Sequence, residues 1–210
     1  MLYGEASLTF REFMMRESVP LAVIQEAILA FFRNRDDVAV FGAQAVNAYV
    51  DQPLMTQDVD ILSPRAEAVA TELRDLLASR FHIAVRVRTL AEGRAYRLYQ
   101  VRKPANRHLA DLRQVDALPP TRRIEEVLVV SPEELVAGKV RALHQRRGTP
   151  KAGTDWRDLA MLLLRFPELK ASEGPVRDRL TAAGADPAVL ETWDDLVAEE
   201  IVPDADDQSY

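Results

Sequence analysis

Two aspartates one residue apart, Asp58 and Asp60, stand at the entry to a short apolar run within Val38–Leu62 (VAVFGAQAVNAYVDQPLMTQDVDIL). If residues 58–62 are extended, Asp58 and Asp60 share one face and Val59 and Ile61 occupy the other, buried one. Carboxylates held that close repel unless a cation lies between them, and hard oxygen ligands of this kind suit Mg²⁺ bridging to a substrate phosphate. An Asp-x-Asp pair alone is equally the edge of a solvated strand. Upstream, however, Gly42 ends the run Val38–Phe41 and precedes a helix-like segment, Ala43–Val50. A glycine there lets the backbone approach phosphate oxygens, and a helix start turns N–H groups and its positive dipole end toward them. Strand, glycine turn, helix and then Thr56-x-Asp58-x-Asp60 put two pieces of phosphate chemistry in sequence.

Further candidates lie downstream. Asp111, in HLADLRQV, is an acid in a β-type run flanked by Leu109 and Leu112, which is costly without a cation or donors nearby. A strand-end pairing with Arg113 or Arg97 is the structural alternative, and Asp116, in a loop-like stretch, is the fallback. Lys139 lies on a helix among Val136, Val140 and Leu143, where it either meets an anion or pairs with Glu133 or Glu134. Asp155 and Asp158 share one helical face, and attraction to the helix N-terminus alone would explain Asp155. His82 and His108 read as ordinary strand residues and His144 as a helix-surface residue. With no Cys and three His, disulfides, thiolate sites and zinc are disfavoured, so any metal must sit on carboxylates.

Periodicity supplies the elements that hold these residues. Pro20–Arg33 is an amphipathic helix with Ser18 as its N-cap; Val38–Phe41 and Val59–Leu62 are strands; Ala66–Arg80 is a helix with Ala68, Val69, Leu73, Leu76 and Leu77 on one face. The period then drops to two. Ile83, Val85 and Val87 alternate with Arg86 and Arg88, and Ala95–Val101, His108–Val115 and Val127–Val130 continue the β pattern. Ser131 and Glu134 form a capping box for the helix Pro132–Arg147, Thr154 opens the helix Asp155–Arg165, and Gly174–Ala183 and Pro187–Ile201 are helical. The fold class is therefore α/β (α+β), with an α/β domain over residues 1–130 and a helical domain over 131–210, frayed across 202–210.

The 210 residues carry a net charge of −6, which on average opposes a polyanion partner. The distribution does not. Residues 1–81 hold 7 basic and 12 acidic side chains, 82–151 hold 15 and 7, 152–167 hold 2 and 2, and 168–210 hold 3 and 12. The middle segment is thus basic, with Arg86, Arg88, Arg94, Arg97, Arg102, Lys103 and Arg107 on one strand face or the adjoining turn. No apolar run approaches the ~20 residues of a bilayer span, and the charged residues 1–18 lack a leader's apolar stretch, so a cytoplasmic location with no membrane partner is expected.

In order and spacing, these residues resemble the DNA polymerase β-type nucleotidyltransferase superfamily, in which a Gly-Gly or Gly-Ser turn opens a helix and Asp-x-Asp follows on the next strand. The Thr two residues before the first Asp, with a Lys-x-x-Ala-Leu helix, a basic turn and an Asp-x-x-Asp-Leu helix far downstream, is similar to the AbiEii-type branch. Those pieces are Lys139, Ala142 and Leu143, then Arg146 and Arg147, then Asp155, Asp158 and Leu159. The resemblance implies a mixed sheet with flanking helices and transfer of a nucleotide from an NTP to a hydroxyl acceptor. It also implies Mg²⁺ on Asp58, Asp60 and Asp111, the last helping to activate the attacking hydroxyl. Gly42, Ala43, Thr56, Lys139 and Asp158 would bind nucleotide, and Lys139 and Asp155 would join the catalytic set. Kinship with toxin–antitoxin systems points to a tRNA 3′ end as acceptor and to a cognate antitoxin. A non-catalytic nucleotide-binding module and a small-molecule nucleotidyltransferase are the alternatives. Ala43 replaces the second Gly or Ser, and Leu54 stands where many relatives carry Arg, at a cost of ~1.5–3 kcal/mol per lost charge-assisted phosphate contact.

Overall fold

A computed structural model of the chain describes residues 19–203. They fall into two compact units that divide after Ser131. Ser18 and residues 204–210 lie outside the described residues; the N-cap position of the first helix is Pro20, with no side-chain cap.

In the first unit the apolar spacing after Pro20 forms helix α1, Leu21–Phe31, which buries Ile24, Ala27, Ile28 and Leu29. Strand β1, Ala39–Phe41, runs directly into α2, Gly42–Asn47, a helix of 6 residues. Then follow β2 (Val59–Ser63), α3 (Ala66–Phe81), β3 (Val85–Leu90), β4 (Ala95–Gln100), β5 (Arg107–Gln114), β6 (Thr121–Ile124) and β7 (Val127–Val130). The strands make one 7-stranded mixed sheet in the order β3-β4-β5-β2-β1-β7-β6. The β2–β5 and β1–β7 pairs are parallel and the others antiparallel. Val40, Val59, Ile61, Leu109, Leu112 and Val129 of the inner strands are fully enclosed. Helix α3 adds Val69, Leu73 and Leu77, each worth about 1.5–3 kcal/mol of burial. At the sheet edge the expected alternation of β3 holds in weaker form: Val85 and Val87 are half-buried and Arg86 and Arg88 exposed.

The second unit is helical: α4 (Pro132–Gln145), α5 (Pro150–Arg165), α6 (Pro175–Ala182) and α7 (Pro187–Ala198). Trp193 of α7 is fully buried, and its indole N–H donates to the Ala171 carbonyl. Among the described residues no helix is long and apolar enough to cross a membrane.

One strand escapes the apolar pattern, and three local expectations are corrected. Strand β6 is polar (TRRI) and gives no apolar alternation; it exists because Glu125 and Glu126, both at positive φ, turn the chain tightly back into β7. His82 belongs to no strand but ends α3 in a left-handed conformation. Helix α5 starts at Pro150, whose fixed φ suits a first turn, so Thr154 lies inside it. The capping box does not form: Ser131 Oγ is buried without a hydrogen-bond partner, while Glu134 pairs with Arg179.

Candidate active site

Residues directly opposed in a sheet carry their side chains to the same face. The register therefore sets one row across the first unit: Asp60 on β2, Asp111 on β5, Arg97 on β4 and Arg88 on β3. Val59 and Ile61, fully buried, point the other way, as period two requires. Asp58 precedes β2 by one residue and meets the second row, where His108, Tyr99 and Arg86 are in register. Asp58 Oδ2 lies 2.9 Å from His108 Nδ1, and His108 Nε2 lies 3.0 Å from Asp111 Oδ1. Arg97 grips Asp111 from the other side, Nε to Oδ1 at 2.9 Å and Nη2 to Oδ2 at 2.8 Å.

His108 is thus no ordinary strand residue. Strict alternation along β5 would place residues 108 and 111 on opposite faces. Instead the pairing shifts between Leu98 and Tyr99: Leu98 opposes Ala110 while Tyr99 opposes His108, leaving Leu109 as the extra residue of a β-bulge. The bulge turns His108 onto the face of Asp111, a frequent device beside functional sites. Charge follows geometry. Burial alone would lower the pKa of His108, yet hydrogen bonds and charge from Asp111 and Asp58 outweigh it and raise the value to about 9. Burial would likewise raise Asp111, but His108 and Arg97 hold its carboxyl well below the usual range. The donor atoms of Asp58, His108 and Asp111 lie within 4.8 Å of one another. These three groups could hold a metal ion, and Asp60 stands beside Asp111 on the neighbouring strand.

Gly42 sits at φ +70°, where a side chain is strained, and a Cβ there would come 2.3 Å from Asp60 Oδ2. What approaches this glycine so closely is the Asp60 carboxylate. The expected helix Ala43–Val50 is shorter than anticipated, ending at Asn47. Asn47 then holds the following loop by accepting from the Leu54 N–H at 2.9 Å and donating to its carbonyl at 2.6 Å. Thr56 ties that loop inward: its hydroxyl donates to Gln44 Oε1 at 2.9 Å, and its carbonyl accepts from Gln25 Nε2 at 3.0 Å. Asp116 is exposed in a bend after β5.

Lys139, Asp155 and Asp158 come together within the second unit. The carboxylates are 2% exposed; Lys139 Nζ bridges Asp155 Oδ1 at 3.3 Å and Asp158 Oδ2 at 2.5 Å, and Arg146 adds a contact to Asp155 Oδ2 at 2.7 Å. Because α5 begins at Pro150, Asp155 lies beyond the first turn, and the cations of Lys139 and Arg146 rather than the helix N-terminus stabilise it. Lys139→Ala is expected to lower stability by about 3 kcal/mol, since it strands buried carboxylates; urea unfolding checks this as a fall in midpoint. His144, read as a surface residue, is half-buried, with Nδ1 2.8 Å from Thr192 Oγ1 of α7.

The basic face is narrower than the sequence suggests. Arg107 is buried at 8% exposure, donating to Gln100 Oε1 and the Val19 carbonyl, and Arg97 is committed to Asp111. Arg86, Arg88, Arg94 and Lys103 remain exposed.

Solved structures share this fold. Over 79% of its length the chain is similar to the Megavirus polyadenylate synthase (16% identity, TM-score 0.57), although it spans 39% of that longer protein. It is also similar to JHP933 from Helicobacter pylori over 91% of both chains (14% identity, TM-score 0.52). No curated protein matches by sequence. The family model described as nucleotidyl transferase AbiEii toxin, type IV toxin–antitoxin system, matches residues 26–206. With that match covering most of its length, and with the mixed sheet, Asp-x-Asp strand and glycine turn in place, the chain belongs to the AbiEii family of nucleotidyltransferase toxins.

Proposed function

We propose that this enzyme transfers a nucleotidyl group from an NTP to the 3′-terminal hydroxyl of an RNA, with tRNA as the acceptor. The observation that carries the reading is the row Asp60–Asp111–Arg97–Arg88, in which adjacent carboxylates at the sheet centre give way to exposed cations at its edge. Asp58, Asp60 and Asp111 are assigned to hold Mg²⁺, which when bound would stabilise the attacking and departing oxygens as a Lewis acid. The acceptor oxygen attacks the α-phosphorus, the bond from that phosphorus to the oxygen bridging to the β-phosphate breaks, pyrophosphate leaves, and the hydroxyl proton passes to solvent water, with ionised Asp111 beside the acceptor oxygen. Gly42 and Ala43 are assigned to the phosphates through backbone N–H groups, and Thr56, held by Gln44 and Gln25, to nucleotide binding. Lys139 is the triphosphate cation in this reading; an ammonium has three donors, and Asp155 and Asp158 hold two of them, orienting the side chain. Arg86, Arg88, Arg94 and Lys103 would engage the RNA backbone, so binding should weaken steeply with salt. A cognate antitoxin, as the family description implies, is the expected protein partner.

The test is incubation with each labelled NTP, Mg²⁺ and total tRNA, intact or periodate-oxidised at its 3′ end. Label should enter intact tRNA and not the oxidised form. Equal labelling of both would overturn the 3′-hydroxyl assignment, transfer to small-molecule hydroxyls alone would move the acceptor to that class, and no transfer from any NTP would favour a nucleotide-binding module.

A further inference from the structure

The carboxylate site contains a nitrogen. We propose that a ring nitrogen of His108, releasing its proton to solvent as the ion enters, joins one carboxylate oxygen from each of Asp58 and Asp111 as a ligand, making a mixed nitrogen–oxygen centre that prefers Mn²⁺ to Mg²⁺. This rests on the metal-bearing site proposed above and names its ion.

The bulge in β5 places His108 among the acids. Without the register shift between Leu98 and Tyr99, His108 would face the opposite side of the sheet from Asp111. A bulge leaves backbone groups unpaired and bends the strand, so it is a cost that re-aiming a side chain can offset. The re-aimed ring lies between two carboxylates, at 2.9 Å from Asp58 Oδ2 and 3.0 Å from Asp111 Oδ1. Adjacent donors on an octahedral ion with bonds of ~2.1 Å stand ~3.0 Å apart, and opposite donors ~4.2 Å. Three donor atoms within 4.8 Å of one another are thus within a small contraction of one coordination shell.

Donor chemistry then selects the ion. Mg²⁺ takes oxygen ligands and gives up water reluctantly, so an imidazole adds little to its binding. Mn²⁺ accepts both oxygen and imidazole nitrogen, and first-row ions gain more from such a mixed site. Arg97, bidentate on Asp111, fixes that carboxylate in orientation, as outer partners of metal ligands do.

The test uses the whole chain without nucleotide. Mn²⁺ binding is followed by loss of the free-ion electron paramagnetic resonance signal, and Mg²⁺ binding by competition, in the wild type, His108→Ala and His108→Gln. The wild type should bind Mn²⁺ about tenfold or more tightly than Mg²⁺, and both variants should lose that preference with Mg²⁺ affinity changed less than about threefold. Pulsed electron paramagnetic resonance of the Mn²⁺-loaded wild type should show coupling to an imidazole nitrogen, a readout that needs no variant to fold. No nitrogen coupling, an unchanged preference in both variants, or equal loss of both ions would each overturn the proposal. The two readings fail separately: nucleotidyl transfer without nitrogen coupling removes only the His108 ligand, and nitrogen coupling without transfer from any NTP removes only the proposed reaction.

Discussion

Asp60→Asn is expected to reduce nucleotidyl transfer by ~10³-fold or more while the protein stays folded. Asparagine keeps the shape that packs against Gly42 and removes the negative charge. A metal-stabilised transition state in phosphoryl chemistry draws several kcal/mol from charge placement, and each ~1.36 kcal/mol is a factor of ten in rate. Asp60 is the carboxylate whose place is most fully determined, since β2 pairs with β1 through Phe41 and with β5 through Asp111. Single-turnover label transfer measures the loss, and a melting midpoint within a few degrees of wild type shows that the fold survives. Asp116→Asn is the control: its side chain is exposed in a bend, and the same assay should return wild-type rates. Transfer by Asp60→Asn within tenfold of wild type would sink the assignment of the site.

Much of the first unit is legible because burial imposes a period. Val59 and Ile61 could be assigned to one face, and Asp58 and Asp60 to the other, from alternation alone, and both apolar residues are fully buried. What escaped is whatever breaks the period or rests on a distant partner. His108 departs from an ordinary strand residue because a bulge adds a residue to β5, and no local pattern marks Leu109 as the extra one. A histidine three residues before an acid in a β-type run was the available signal, and a bulge is what makes it meaningful. Strand β6 escaped because a polar edge strand buries little and its turn uses Glu125 and Glu126 where Asn-Gly would be expected. The pairing of Lys139 with Asp155 and Asp158 joins two helices, and helical spacing offered Glu133 and Glu134 instead. For Asp111 the strand pairing with Arg97 is real, and the same carboxylate stands in the row with Asp60.

Gly42→Ala should reduce transfer about as severely as a change to an active-site acid, although it adds a single methyl and removes no functional group. At φ +70° alanine is strained by roughly 1–2 kcal/mol. Its Cβ would also stand 2.3 Å from Asp60 Oδ2, 3.0 Å from Cγ and 3.1 Å from Cβ, so contact extends beyond the movable end of the aspartate. Either the Asp60 side chain rotates away or the β1–α2 turn shifts, and both take the carboxylate out of line with Asp111. A displacement of ~1 Å at a reacting centre can cost ~10²-fold. If Gly42 served phosphate contact alone, the substitution would raise KM for the NTP and leave metal binding intact. The steric account instead requires that divalent-ion affinity and kcat fall together. It also requires coupling: in an Asp60→Gly background, where the obstructing side chain is gone, the stability cost of Gly42→Ala should shrink to the backbone strain. A double-mutant cycle in urea reads this as an interaction energy of about 1 kcal/mol or more. Additive costs would show that Gly42 and Asp60 act independently, and the glycine turn would revert to a phosphate contact alone.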